Sequence, residues 1–226
     1  KVLIQKDLKW YEKILVKFGV QVQAEKYGYI WSSRKVVRGI DGVEKPGSVH
    51  YYGEDVWGSV ASRVESRIPK GYTVYGEIVG FTPSGGAIQS MGGKPYDYGC
   101  GPNECKLHVY RVTITNVDGI VVDMPFKQMV DWCHQNGFET VPVIFYGKAS
   151  EFLPVLPGQS VEDWQEAILR KLETEYVDDR VCHLCKSGVV QEGIVLRTDF
   201  AGKCEAKKLK AFRFLAGESA DLDTGV

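Results

Sequence analysis

The sequence predicts an α+β domain built on antiparallel sheets, not a doubly wound parallel fold. Three observations lead there. Segments with strand character follow one another in mixed order with hairpin-like turns between them, and only three segments carry a helical period, so few β-α-β crossovers can be drawn. No internal repeat or low-complexity linker divides the 226 residues, 44% of which are hydrophobic, enough for one sizeable core.

Taken in order, strands are expected at 20–24 and 29–33, the first from the alternation Val20-Gln21-Val22-Gln23. Val56, Trp57, Val60, Val64 and Ile68 recur at helical spacing and stop at Pro69-Lys70-Gly71. A strand at 72–81 follows, then a Gly- and Pro-rich stretch at 82–101 that reads as a long hairpin excursion, then a strand at 106–117. Phe126, Met129, Val130 and Cys133 mark a second helix, with Asp123 as the expected N-cap, Pro125 in the first turn and Gly137 as the stop. Strand character returns at 141–146. A third helix runs from a Ser160 cap through Val161, Trp164, Ile168, Leu172 and Tyr176, and strands at 189–198 and 207–215 complete the chain.

Composition narrows the function. The net charge is −1, from 28 Lys and Arg against 29 Asp and Glu, so no global positive field marks a nucleic-acid partner. Positive charge gathers instead in one local patch at Lys203, Lys207, Lys208, Lys210 and Arg213. Apolar runs such as 14–16 and 141–146 fall far short of the roughly 20 residues a membrane span needs, and the N-terminus has no signal-peptide pattern. The expected compartment is the cytoplasm. Six cysteines in such a chain suggest free thiols more than a disulfide framework; Cys100, Cys105, Cys182 and Cys185 have pair spacings that suit a zinc site if the two turns meet. Gly85-Gly86 and Gly92-Gly93-Lys94 suggest a phosphate loop, but the glycine spacing is wrong and Pro95 stands at the Ser/Thr position.

The chemistry concentrates in three segments: Tyr75-Gly76-Glu77, Gln191-Glu192-Gly193-Ile194-Val195-Leu196-Arg197 and Ala206-Lys207-Lys208-Leu209-Lys210. Each puts charge in or beside an apolar strand, where an unpaired charge costs several kcal/mol, and a ligand or metal is the usual reason. Surface carboxylates and a solvated basic edge are the plain alternatives.

In this order the segments resemble the covalent nucleotidyltransferase superfamily of ATP-dependent ligases and mRNA capping enzymes, and most of all the phage-type RNA ligases. The resemblance runs from about Val16 to Phe214. It implies one nucleotidyltransferase domain over 1–226, with two antiparallel sheets flanking a nucleotide cleft and helices outside. Only 16 residues follow Lys210, too few for a C-terminal OB domain. The implied reaction is ATP-dependent RNA ligation of 3′-hydroxyl and 5′-phosphate ends through a lysine-AMP intermediate, with RNA ends or nicked RNA duplex as partner and a monomer as the working form. If the chain is phage-encoded, the compartment is the host cytoplasm.

The lysine motif departs from the family pattern. Lys17-Phe18-Gly19 sits where the nucleophile motif belongs, 60 residues before Glu77 and 17 before Arg34, yet it is at least one residue short. Lys13, preceded by Glu12, lacks the following glycine. By resemblance Lys17 is the nucleophile, Glu77 holds the ribose, Tyr110 stacks on adenine, Arg34 contacts the sugar or RNA end, Glu192 binds Mg²⁺ or Mn²⁺, and Lys208 and Lys210 meet the phosphates. A lysine attacks only as the neutral amine, and nearby cations favour that form against an ordinary pKa of about 10.4. Alternation in Leu107-His108-Val109-Tyr110 could instead bury Tyr110, and His108 reads as a satisfied histidine. DNA sealing, capping by the same lysine chemistry, and an inactive nucleic-acid-binding relative are the alternatives.

Overall fold

The computed structural model describes residues 2–5, 8–22, 25–34, 36–47, 50–178 and 180–224. The chain opens with β1 (Val2–Gln5), α1 (Trp10–Lys17), β2 (Glu25–Gly28), β3 (Ile30–Ser32), β4 (Val37–Ile40) and β5 (Val43–Glu44). It continues through α2 (Val56–Val64), β6 (Tyr72–Gly80), β7 (Ser90–Met91), β8 (Lys94–Pro95), β9 (Cys105–Thr115) and β10 (Val121–Asp123). The rest comprises α3 (Phe126–Gln135), β11 (Glu139–Thr140), α4 (Ala149–Phe152), α5 (Val161–Tyr176), β12 (Gly193–Phe200), β13 (Lys203–Lys210) and α6 (Phe212–Thr224). No described helix is long and apolar enough to cross a membrane.

The central sheet is built around β9. Antiparallel β6 runs along one edge from Cys105 to Ile114, so β10 and β11 share the other. The β9–β11 pair is parallel, because α3 carries the chain back across the sheet between β10 and β11. Val109 and Val112 on β9 are fully buried with Val64 of α2 and with Met129 and Cys133 of α3, forming one core. Burial pushes the Cys133 thiol up to about 11, as expected of an inert core cysteine. A second core gathers Tyr96, Val177, Cys182, Cys185, Val189, Ala211 and Phe214, and receives Ile194 and Leu209 from the β12–β13 hairpin.

Several elements depart from expectation. Residues 20–22 form no strand, and 23–24 lie outside the described residues. The expected strand at 141–146 is irregular with Val143, Ile144, Phe145 and Tyr146 exposed; Pro142 has no N–H to donate to a ladder, and pairing ends at Thr140 and the Val141 amide. The last strand starts earlier and stops at Lys210, because the chain turns there into α6, with Ala211 just before the helix and Phe214 in its first turn both buried. Asp123 does not cap α3. Pro125 occupies the cap position, and the Phe126 amide donates instead to Asp199 Oδ2 of β12 at 2.6 Å. Ser160 caps α5 as expected, accepting from the Asp163 amide at 3.1 Å.

Candidate active site

The first wall of the site is the β6–β9 pair. Its register shifts between Tyr75 and Gly76, which face Arg111 and Val109, so Tyr110 stands opposite the irregularity. A Cβ at Gly76 would lie 2.8 Å from the His108 carbonyl oxygen, which explains why glycine precedes Glu77 here. Glu77 is exposed and pairs with His108 across the ladder. Tyr110 is 40% exposed, so alternation buries Val109 and leaves this ring open. Burial raises the pKa of the Tyr110 hydroxyl, the Glu77 carboxylate raises it further, and the positive charges of Arg111 and, less strongly, Lys208 oppose both. His108 is partnered: its Nε2 lies 3.3 Å from Glu139 Oε2, and burial lowers its pKa against the pull of that carboxylate.

The second wall is the β12–β13 hairpin. Glu192 immediately precedes it, followed by Gly193 at φ +146, where a Cβ would run into the Leu209 carbonyl oxygen. Only glycine lets the chain enter the hairpin at that point. Alternation sends Ile194 and Leu209 into the second core and leaves Val195 and Lys208 on the opposite face. There the Lys208 Nζ donates to Glu192 Oε1 at 3.1 Å. The Glu192 charge also raises the pKa values of Tyr96 and Tyr98, after burial. Lys210 turns away to Glu218 Oε2 at 2.6 Å, over the Phe214 ring.

Two arginines join the walls. Arg197 of β12 donates to the carbonyls of Tyr110 at 2.9 Å and Met124 at 2.8 Å, and pairs with Asp199 at 2.8 Å. Arg111 of β9 pairs with the buried Asp123, whose Oδ2 also accepts from the Cys204 amide of β13 at 3.2 Å. Sequence reasoning passed over Arg197. Its signal was a guanidinium on the same side of an alternating strand as Val195, five residues after Glu192.

Glu77, Tyr110, Glu192 and Lys208 are therefore brought together. Lys17 is not. It ends α1, exposed, with Gly19 at φ +77 closing the helix. Arg34 is exposed in the turn between β3 and β4, closed by the Ser33 amide donating to the Val36 carbonyl at 2.9 Å. Among the described residues no hydrogen bond or ion pair reaches either side chain.

Zinc at the four cysteines is the less favoured reading beside free thiols, and the described residues do not gather them into one site. The two cysteine turns do meet, but through Asp97, whose Oδ2 accepts from the Lys186 and Ser187 amides at 2.9 and 3.3 Å. The thiols go elsewhere: Cys100 to the Val79 carbonyl, Cys105 beside Arg63, and Cys182 with Cys185, whose thiol burial pushes up to about 12. Among the described residues no three His, Cys, Asp or Glu side chains gather as a metal group. That does not conflict with Mg²⁺, which is commonly held by one or two carboxylates together with substrate phosphates and water. Glu192, at the mouth of the hairpin with its oxygen on an ammonium, is the carboxylate available for such a role.

No curated protein and no solved structure matches the chain. The family model of RNA ligase, in contrast, matches residues 15–211, a span that includes both walls and the arginines joining them. The chain belongs to the RNA ligase family.

Proposed function

We propose that this ATP-dependent RNA ligase is of the phage type and that its single nucleotidyltransferase domain holds ATP between the β6–β9 wall and the β12–β13 hairpin. The observation that carries this reading is the Arg197 contact to the Tyr110 carbonyl at 2.9 Å, which joins the wall carrying Glu77 and Tyr110 to the hairpin beside the Lys208–Glu192 pair. Tyr110 stacks on adenine and Glu77 accepts from the ribose hydroxyls. Lys208 leaves Glu192 for the triphosphate, and Lys210 and Arg34 contribute positive charge towards phosphate and the RNA end. Glu192 holds Mg²⁺ or Mn²⁺, which when bound offsets the negative charge of the triphosphate.

In the first step the neutral Lys17 amine attacks the α-phosphorus. An N–P bond forms, the bond to pyrophosphate breaks and the amine proton is lost. An oxygen of the RNA 5′-phosphate then attacks that phosphorus, breaking the N–P bond and returning a proton to the lysine. Finally the 3′-hydroxyl oxygen attacks the activated 5′-phosphorus, forming the phosphodiester as the anhydride bond to AMP breaks, the hydroxyl proton is lost to solvent and AMP leaves. All three are in-line displacements, so positioning and charge neutralisation supply most of the catalysis. Lys17 must reach the walls for the first step, which requires α1 and the turn after it to close over bound ATP.

Intact-protein mass spectrometry after incubation with ATP and Mg²⁺ tests this. The expected result is a gain of one AMP that maps to Lys17 and is absent in Lys17→Ala. An adduct that persists in that variant and maps to Lys13 or another residue overturns the nucleophile assignment. An intact chain that forms no adduct and seals no pre-adenylated RNA is an inactive relative.

A further inference from the structure

Arg197 of the hairpin makes its contacts with the β9 wall and the start of α3. Three of its nitrogens are used at once: Nη1 on the Tyr110 carbonyl at 2.9 Å, Nη2 on the Met124 carbonyl at 2.8 Å, and Nε on Asp199 Oδ1 at 2.8 Å. The guanidinium also lies 5.3 Å from the centre of the Phe126 ring and 3.7 Å from Met129 Sδ, and only 13% of its side chain is exposed. Asp199 turns its other oxygen to the Phe126 amide at 2.6 Å, so the start of α3 is fixed by the same pair. Arg197 and Asp199 share the strand face of Val195 and Lys208, but the guanidinium nitrogens there are engaged by protein acceptors.

The consequence is geometric. Arg197 grips the backbone of the residue expected to stack on adenine, and it lies in the strand that Glu192 immediately precedes, five residues further on. The guanidinium therefore sets the distance between the wall that takes the nucleoside and the wall that takes the phosphates. We propose that Arg197 is a positioning residue for nucleotidyl transfer, fixing the spacing of the two walls without touching the nucleotide. The inference rests on the reading that both walls contact ATP.

A planar fork is needed for this task, because three acceptors lie in three directions around one group. A lysine ammonium at the end of a flexible stem meets one of the two carbonyls and leaves the other. Each wall alone still offers its own contacts to ATP, so binding suffers little. In-line attack needs both walls in register, and a misplacement of about 1 Å costs on the order of 100-fold in rate.

The test compares wild type, Arg197→Met and Arg197→Lys for the rate of lysine adenylation at saturating ATP, the ATP concentration giving half that rate, and thermal melting. In Arg197→Met the saturated rate should fall on the order of 100-fold while the half-saturating ATP concentration changes by less than about 3-fold. Arg197→Lys should recover part of the loss, about tenfold below wild type, and should melt close to wild type. This split in a folded protein separates positioning from mere support of the fold. If Arg197→Met does not fold, Arg197→Lys decides. A wild-type rate in either folded variant, or a loss confined to half-saturating ATP, overturns the proposal. Should the wild type form no adduct, the same comparison is made on sealing of a nick already carrying AMP on its 5′-phosphate, which needs no lysine nucleophile. Failure of the wild type there too overturns both this inference and the reading beneath it.

Discussion

Glu192 and Lys208 form an ion pair that stability alone does not justify. The Lys208 side chain is 57% exposed and the Glu192 side chain 27%, and pairs this open typically contribute no more than about 1 kcal/mol. Placed on the open face of a hairpin, beside a tyrosine that feels both Glu77 and Lys208, the pair keeps each charge ready for a different partner. We therefore expect Glu192→Ala and Lys208→Ala to melt within a few degrees of wild type while ligation of RNA ends falls on the order of 100-fold or more. Near wild-type ligation by either variant would remove it from the site. A pre-adenylated RNA substrate separates the steps, since a residue needed only to load the lysine becomes dispensable when AMP already sits on the 5′-phosphate.

At the level of elements, Asp123 is the clearest case of a residue whose local pattern and tertiary role diverge. Two residues ahead of Pro125, it has the sequence position of a helix cap; in the fold it is the buried acceptor that ties β9 to β13 through Arg111 and the Cys204 amide. Hydrogen bonds from Arg111 and the Cys204 amide, with the Arg111 charge, hold its carboxyl below the usual range despite burial. The sign follows from linkage: a depressed folded pKa stabilises above the unfolded value of about 3.9, and that contribution is lost as pH falls through the folded value. Asp123→Asn should therefore cost on the order of 2 kcal/mol at pH 7, discounted for an Arg111 that is about one third exposed, and the gap to wild type should narrow below about pH 4. Chemical denaturation across that pH range measures it, and an unchanged gap would mean that the carboxylate charge contributes nothing. The same contrast explains what the sequence made legible. Periodicity located α2, α3 and α5, and the charged strands singled out Glu77, Glu192 and Lys208 as candidates, because those signals are local. The Asp199 cap of α3, the Arg197 grip on Tyr110 and the turn of Lys210 towards Glu218 depend on which strands meet, and nothing in their neighbourhoods encodes that. The expected strand at 20–24 failed for a related reason: alternation marks a strand only where a partner edge exists, and residues 20–22 have none.

For the whole molecule, a net charge of −1 means that RNA must be held by local groups. The basic patch thins further once its partners are known: Lys210 is engaged by Glu218 and Lys208 by Glu192, which leaves Lys203 and Lys207 as exposed cations along the hairpin, with Glu205 between them. Only a few phosphates can be neutralised at a time. Binding of a nicked duplex should then weaken with salt with a logarithmic slope of about −2 to −4, the value for two to four displaced counterions. Counterion release carries no information about the sugar, so discrimination of RNA from DNA must come from groove shape and 2′-hydroxyl contacts near the break. The slope and the preference are therefore independent quantities. The measurement is sealing of matched nicked duplexes that differ only in whether the strand ending in the 3′-hydroxyl terminates in ribonucleotides or deoxyribonucleotides, at low and moderate salt. Rates should fall with salt for both, and their ratio should stay in favour of the ribonucleotide end. Equal rates for the two ends at both salt concentrations would show that this ligase does not read the 2′-hydroxyl at the 3′ side of the nick, and a ratio that collapses with salt would place the discrimination in the phosphate contacts of the hairpin.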